Sequence, residues 1–288
     1  MNSLPNKAEA APADSPTARI TRDVIFAESP GFRPLTLDVH YPRPSGPLLP
    51  AVLFVHGGGW RLGSRRVFVP GIGPAESFGR VTAAGYALVS IDYRLSREAR
   101  FPAPVEDVLA AVNWIRHKGA QGHLDASRIV LWGESSGAHL AALAAFREPT
   151  WVRGVVDWYG PSNLTTLGAQ LHPDSPATFD DDPETREANL LGGPISQVLE
   201  RARLASPALQ VPANPPPFHV AHGMSDDLMP IAQSTELVQA LAAVGADVEF
   251  NAVPGASHFW RGAEDVPGLF AAALAFADRV TAGEPSAE

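Results

Sequence analysis

Unbroken apolar runs alternate with helically spaced ones along most of the chain. Leu35-Thr36-Leu37-Asp38-Val39-His40-Tyr41 alternates apolar and polar positions, which predicts a half-buried antiparallel strand. Ala51 to Val55 and Tyr86 to Ile91 are almost wholly apolar, as central strands buried on both faces are. Ile129 to Trp132 reads the same way. It leads through Gly133-Glu134-Ser135-Ser136-Gly137 into the Ala/Leu-rich run Ala138 to Phe146, predicting a strand, a sharp turn and a helix. Val105, Val108, Leu109, Val112 and Ile115 recur at helical spacing, and Val155-Val156, Phe218-His219-Val220 and Val248-Glu249-Phe250 predict later short strands. Strands alternating with helices imply right-handed crossovers and a mostly parallel sheet flanked by helices, an α/β fold.

Two segments depart from this rhythm. Residues 1–18, rich in Ala, Pro and polar side chains, predict a disordered tail ahead of a domain spanning 19–282. Residues 161–217 carry many Pro, Asp and Gly and only short helical patches, such as Ile195 to Leu204. A long irregular insertion inside a compact domain is usually a lid or binding loop, so a cap is expected there.

Composition narrows the function. The chain has 288 residues, 45% of them hydrophobic, enough for one large core. Its net charge of −9 argues against nucleic-acid or anionic-membrane partners, which need a basic surface. No apolar run is long enough to span a bilayer, and the N-terminus lacks a basic start and an apolar core, so the default expectation is cytoplasmic. With no cysteine, thiol catalysis and zinc–thiolate sites are excluded.

Gly133-Glu134-Ser135-Ser136-Gly137 is a G-x-S-x-G at a strand-to-helix junction, the setting that exposes a serine nucleophile at the tip of a parallel strand. Alone it is a weak signal; three further stretches give it partners. His56-Gly57-Gly58-Gly59-Trp60 follows the Ala51 strand, and such a loop suits an oxyanion hole built from the N–H groups of Gly58, Gly59 and Ser136. Ser225-Asp226-Asp227 follows the Phe218 strand, where Asp226 or Asp227 serves to orient a histidine. His258, in a glycine-containing loop after the last strand, is the expected general base. Among the other histidines, His56 is expected to brace the glycine loop, His139 to pack, and His40 and His123 to lie on the surface. His219-x-x-His222 has a metal-like spacing only superficially, since on a strand those side chains face opposite ways, and no metal or organic cofactor is expected. The order Ser135, acid, His258 is that of α/β-hydrolases.

At these residues the chain resembles α/β-hydrolase esterases of the HGGG group, and most of all the feruloyl/acetyl esterase branch labelled BD-FAE. The resemblance is carried by His56-Gly57-Gly58-Gly59-Trp60, Asp92-Tyr93-Arg94-Leu95, Phe101-Pro102-Ala103 with Asp107, Trp132 to Gly137, Ser206-Pro207, Pro216-Pro217-Phe218, His222-Gly223 with Asp226 and Pro230, and Gly255 to His258. It implies an α/β-hydrolase fold and selects Asp226 over Asp227 as the acid. Met224 departs from the family pattern, where an acid is common, and so does Ser136, where alanine is common. The implied activity is a serine carboxylesterase acting through a Ser135–His258–Asp226 triad on a small ester, with short-chain or aromatic acyl groups. Trp60, Trp158, Tyr159, Phe259 and Trp260 flank these stretches and are the expected substrate-lining residues. Amide hydrolases such as arylformamidases or prolyl-type peptidases use the same triad, and a non-catalytic hydrolase-fold binding protein is the reading from a different class. The sequence sets no oligomeric state.

Overall fold

Eight strands form one sheet in the order β1-β2-β4-β3-β5-β6-β7-β8. The computed structural model describes residues 19–42, 48–171 and 181–282. The tail predicted at 1–18 lies outside the described residues. The strands are β1 (Ile20–Ala27), β2 (Leu35–His40), β3 (Leu49–Val55), β4 (Ala87–Ile91), β5 (Leu124–Glu134), β6 (Gly154–Trp158), β7 (Phe218–Gly223) and β8 (Val248–Val253). β1 and β2 pair antiparallel with each other, and β2 pairs antiparallel with β4. Every other neighbouring pair is parallel. This is the α/β-hydrolase fold.

The helices are α1 (Pro74–Ala83), α2 (Ala103–Lys118), α3 (Ser136–Arg147), α4 (Leu167–Gln170), α5 (Arg186–Leu191), α6 (Leu199–Leu204), α7 (Ile231–Ala243) and α8 (Val266–Thr281). The two-residue period of a strand sorts the core into two layers. Leu53 and Val55 of β3 and Leu131 of β5 face α2, α3 and α7, where Val108, Leu140 and Leu237 are buried. Val52, Phe54 and Trp132 face the other way, towards Phe78 and Val81 of α1 and Phe270 and Phe276 of α8. Both faces of β3 and β5 are therefore dry, which explains why these strands read as unbroken apolar runs.

The structure corrects one expectation at β2. His40 was expected on the surface, yet it is buried, with its ring 4.5 Å from that of Phe78. The physical reason is that α1 covers the face of β2 that alternation assigns to water, while β1 covers its outer edge. On that same face Asp38 is satisfied by ion pairing with Arg65. Burial pushes the His40 imidazole down to about 4, so it is neutral in its apolar setting.

The segment 161–217 leaves the sheet after β6 and returns at β7. Residues 172–180 of it lie outside the described residues. The helical patch expected from Ile195 to Leu204 is split at Val198 into a 3-10 turn (Ile195–Gln197) and α6. The start of the segment is pinned to the domain, and its later part is tied back to that start. Ser162 and Asn163 donate their backbone N–H groups to the Gln233 side chain of α7, and Ala208 N–H donates to Ser162 O.

Candidate active site

The chain turns from β5 into α3 within one residue. Ser135 carries φ 52° and ψ −124°, a left-handed strain that a non-glycine residue adopts only when its surroundings impose it. Those surroundings are the flanking glycines. A Cβ on Gly133 would fall 2.4 Å from Ala138 N, and one on Gly137 would fall 2.1 Å from Val55 O. Both contacts are too short for any side chain, so only glycine lets α3 start this close to β3 and β5. Ser135 N–H is held by Trp158 O at 2.8 Å, which ties the turn to β6.

Three side chains from three strand ends converge here. Ser135 follows β5, Asp226 follows β7 and His258 follows β8. His258 Nε2 lies 3.1 Å from Ser135 Oγ, and His258 Nδ1 lies 2.6 Å from Asp226 Oδ2. A carboxylate only accepts, so Nδ1 carries the proton and Nε2 is free to accept from the serine hydroxyl. Burial lowers the His258 pKa, the Asp226 carboxylate opposes that, and the balance stays below the ordinary imidazole value. Burial alone would raise the Asp226 carboxyl; the hydrogen bonds from His222 and His258 outweigh it and hold the group well below the usual carboxylate range. Its other oxygen, Oδ1, accepts from Leu228 N–H at 3.0 Å and Met229 N–H at 2.8 Å. Of the two candidate acids, Asp226 is the one whose carboxylate meets His258 Nδ1.

The glycine loop follows β3, the strand beside β5. Gly58 has φ +120°, and a Cβ there would sit 2.2 Å from Leu62 O. Among the described residues, the N–H groups of Gly58, Gly59 and Ser136 donate to no other group. His56 braces the loop as expected: its Nδ1 lies 2.7 Å from Gly57 O, and its ring stacks on Tyr93 at 4.4 Å. Tyr93 in turn donates its hydroxyl to His56 O at 3.1 Å.

Sequence reasoning missed three contributors to this site. Glu134 is buried beside Ser135 and accepts from Val69 N–H at 3.0 Å and from the Tyr159 hydroxyl at 3.2 Å. Burial pushes its carboxyl up to about 7 against those hydrogen bonds. It occupies the variable position of the G-x-S-x-G, so no spacing rule marks it. His222 is buried, with Nε2 3.3 Å from Asp226 Oδ2 and 2.8 Å from Met229 O, and Nδ1 2.7 Å from Ser234 Oγ. Its lead of four residues over Asp226 was visible, but not that both would meet. Arg186 reaches the glycine loop from the 161–217 segment, which nothing local predicts.

The five aromatic residues expected at the substrate separate. Phe259 is half-buried, its ring 4.3 Å from that of His258. Tyr159 is buried, 4.7 Å from His258. Trp60 is buried and donates its Nε1–H to His139 Nδ1 at 3.3 Å. His139 Nε2 then donates to Ala205 O at 2.6 Å. Trp158 lies in the core against Trp132, Phe270 and Trp260. Trp260 is likewise buried, bridging Trp158 and Tyr159. His219, the other half of the metal-like pair, meets Glu249 at 3.0 Å, away from this cluster.

The model of the BD-FAE family matches residues 37–241, most of the chain and all of the glycine loop, the Ser135 turn and Asp226. The chain belongs to the BD-FAE family. Among curated relatives, Esterase LipQ of Mycobacterium tuberculosis is 32% identical over 254 residues, covering 83% of this chain and 56% of that protein. Esterase LipC of the same organism is 30% identical over 250 residues, covering 82% and 59%. The BD-FAE chain thus spans a little over half the length of these curated relatives. A truncated carbohydrate esterase from gut microbiota superimposes with a TM-score of 0.79 at 26% identity, over 95% of this chain and 100% of that one. Among the described residues, no helix is long and apolar enough to cross a membrane.

Proposed function

We propose that this protein is a serine carboxylesterase that hydrolyses short-chain or aromatic acyl esters. The observation that carries the reading is the continuous relay from Asp226 through His258 to Ser135, with separations of 2.6 and 3.1 Å. The esterase names of its relatives point the same way.

His258 Nε2 takes the Ser135 proton as Oγ attacks the ester carbonyl. The N–H groups of Gly58, Gly59 and Ser136 hold the oxyanion of the tetrahedral intermediate. That intermediate collapses to an acyl-serine, and the alcohol leaves with the proton from His258. Water then repeats the sequence, losing its proton to His258 and releasing the acid and free Ser135. The depressed pKa of His258 keeps it neutral at pH 7, as a base must be. Asp226 fixes its tautomer and stabilises its cation. The segment 161–217 acts as a cap over this site, and Phe259 borders the acyl pocket.

The test is hydrolysis of p-nitrophenyl acetate, butyrate and octanoate and of methyl ferulate by the wild type and by Ser135→Ala. The expected result is turnover of the short or aromatic esters, lost in the variant together with fluorophosphonate labelling. No turnover of any ester by the wild type would overturn the reading.

A further inference from the structure

Arg186 is the first residue of α5, and its side chain runs back onto the glycine loop. A Cβ placed on Gly59 would fall 2.6 Å from Arg186 Cδ and 3.3 Å from Cγ. The arginine methylenes therefore lie against the bare α-carbon of a residue whose amide is a proposed oxyanion donor. The positive charge is close enough to His258 to help lower that residue's pKa.

What sets this arginine apart is how little it is bound. A guanidinium has five N–H donors. Among the described residues, none from Arg186 makes a hydrogen bond, and its ion-pair partner is Glu187, with Nε 3.7 Å from Oε1. That separation is beyond hydrogen-bond range. Glu187 is also a poor counter-ion: it is buried, and burial raises its pKa towards the neutral acid. Two other sheltered arginines are held by carboxylates. Arg94 makes a forked contact with Asp107 at 2.6 and 2.9 Å, and Arg65 pairs with Asp38 at 2.8 Å and also with Asp23 and Asp92. The Arg186 side chain is only 23% exposed, so its fork is partly sheltered yet open to a ligand. A planar fork of unused donors beside the reaction centre matches a carboxylate.

We propose that Arg186 binds a carboxylate of the substrate, and that the preferred esters carry that carboxylate close to the scissile bond. This rests on the esterase reading above and names the substrate class within it. The carboxylate has two sources: the acyl part, as in a half-ester of a dicarboxylic acid, or the alcohol part, as in an acetylated hydroxybenzoate.

Two matched pairs test it. The acyl pair is p-nitrophenyl butyrate against mono-p-nitrophenyl glutarate; the alcohol pair is phenyl acetate against 4-acetoxybenzoate. For each pair, the anionic-to-neutral ratio of kcat/KM is compared between wild type, Arg186→Met and Arg186→Lys, which cancels intrinsic reactivity and any general loss. In one pair Arg186→Met is expected to lower the ratio roughly tenfold or more, the effect of losing a charge-assisted hydrogen bond. Arg186→Lys, which keeps the charge without the fork, should fall between. The pair that responds identifies the source. The wild-type ratio in that pair should also fall with added salt, a readout that needs no variant to fold. If the wild type hydrolyses the neutral esters but neither ratio responds to the variants or to salt, the Arg186 assignment is wrong and the esterase reading survives. If the wild type hydrolyses no ester in either pair and Ser135 resists fluorophosphonate, both fail.

Discussion

His222 presents Nε2 to Oδ2 of Asp226 across 3.3 Å, the same oxygen that His258 Nδ1 meets at 2.6 Å. Met229 O can only accept, so the 2.8 Å contact with it fixes the proton on His222 Nε2. That N–H therefore faces the carboxylate as well, and draws off charge that would otherwise go to His258. Replacing His222 with Leu should leave Asp226 a stronger partner for His258. The His258 pKa then rises, and the acid limb of kcat/KM moves to higher pH by several tenths of a unit to about one unit. Loss of the Ser234 and Met229 contacts should also cost about 1–3 kcal/mol in stability. A destabilised variant with an unmoved acid limb would reduce His222 to packing.

The pH profile follows from the environment of His258. In the proposed mechanism only the neutral imidazole accepts the serine proton, so activity should fall as pH drops through its pKa. Burial lowers that pKa, and the acid limb of the wild type should lie below the ordinary value of about 6.5. Asp226→Asn removes the carboxylate that opposes the burial effect and the acceptor that fixes the tautomer. It should lower kcat by roughly a thousandfold or more and move any residual limb lower still. Stopped-flow or plate kinetics with p-nitrophenyl acetate across pH 4.5–9 reads both.

β3 and the second half of β5 were legible because they are buried on both faces and read as apolar runs. The glycine loop and the Ser135 turn follow such runs, whereas His258 follows the half-exposed β8 and was read from its glycine-containing loop. β1 was not, since its alternate positions are half-exposed and it gains order only by pairing with β2. The fate of His40 was hidden for a related reason: alternation gives the face of a strand, not whether a distant helix such as α1 covers it. Adjacency in sequence also misled for Trp158. It ends β6 in the core against Trp132 and Phe270, and the chain turns just beyond it at Tyr159, with φ 47°, so it is the Tyr159 ring that reaches His258. Glu134 and Arg186 act through contacts that close across 25 or more residues, and no local pattern reports those.

The aromatic residues divide into two groups with different expected phenotypes. Trp158 is wedged among Trp132, Trp260 and Phe270, so Trp158→Ala should destabilise the fold by about 3–5 kcal/mol. The acyl preference of whatever remains folded should be unchanged. Phe259→Ala, at a half-buried position beside His258, should cost little stability and change KM across the acetate-to-octanoate series. Chemical denaturation set beside the substrate panel separates the two. A changed acyl profile in a folded Trp158 variant would place that ring at the substrate after all.

Glu134 should leave its mark on stability rather than on the rate profile alone. Its carboxyl titrates near 7 in the folded protein and near 4.5 when unfolded. Between those values the folded state holds a proton that the unfolded state has released. Stability from this group is therefore greatest below about pH 4.5 and declines as pH rises to about 7, by up to a few kcal/mol. Asp157, also buried and raised to about 6, adds a decline of the same sign. Glu134→Gln removes the first contribution and keeps the second, so the difference between variant and wild type isolates Glu134. Val69 N–H and the Tyr159 hydroxyl share Oε2, while Gly57 N–H reaches Oε1 at 3.5 Å; the amide NH2 of the variant cannot accept at one of these positions, so the variant should be the less stable of the two at pH 4.5. That deficit should shrink steadily towards pH 7.5, where the wild type carries a buried charge and the variant does not. Urea unfolding at half-unit steps of pH measures the gap directly. A gap that stays constant over this range would mean that Glu134 ionises in the folded protein as it does in the unfolded chain, with its hydrogen-bond donors fully repaying the cost of burial.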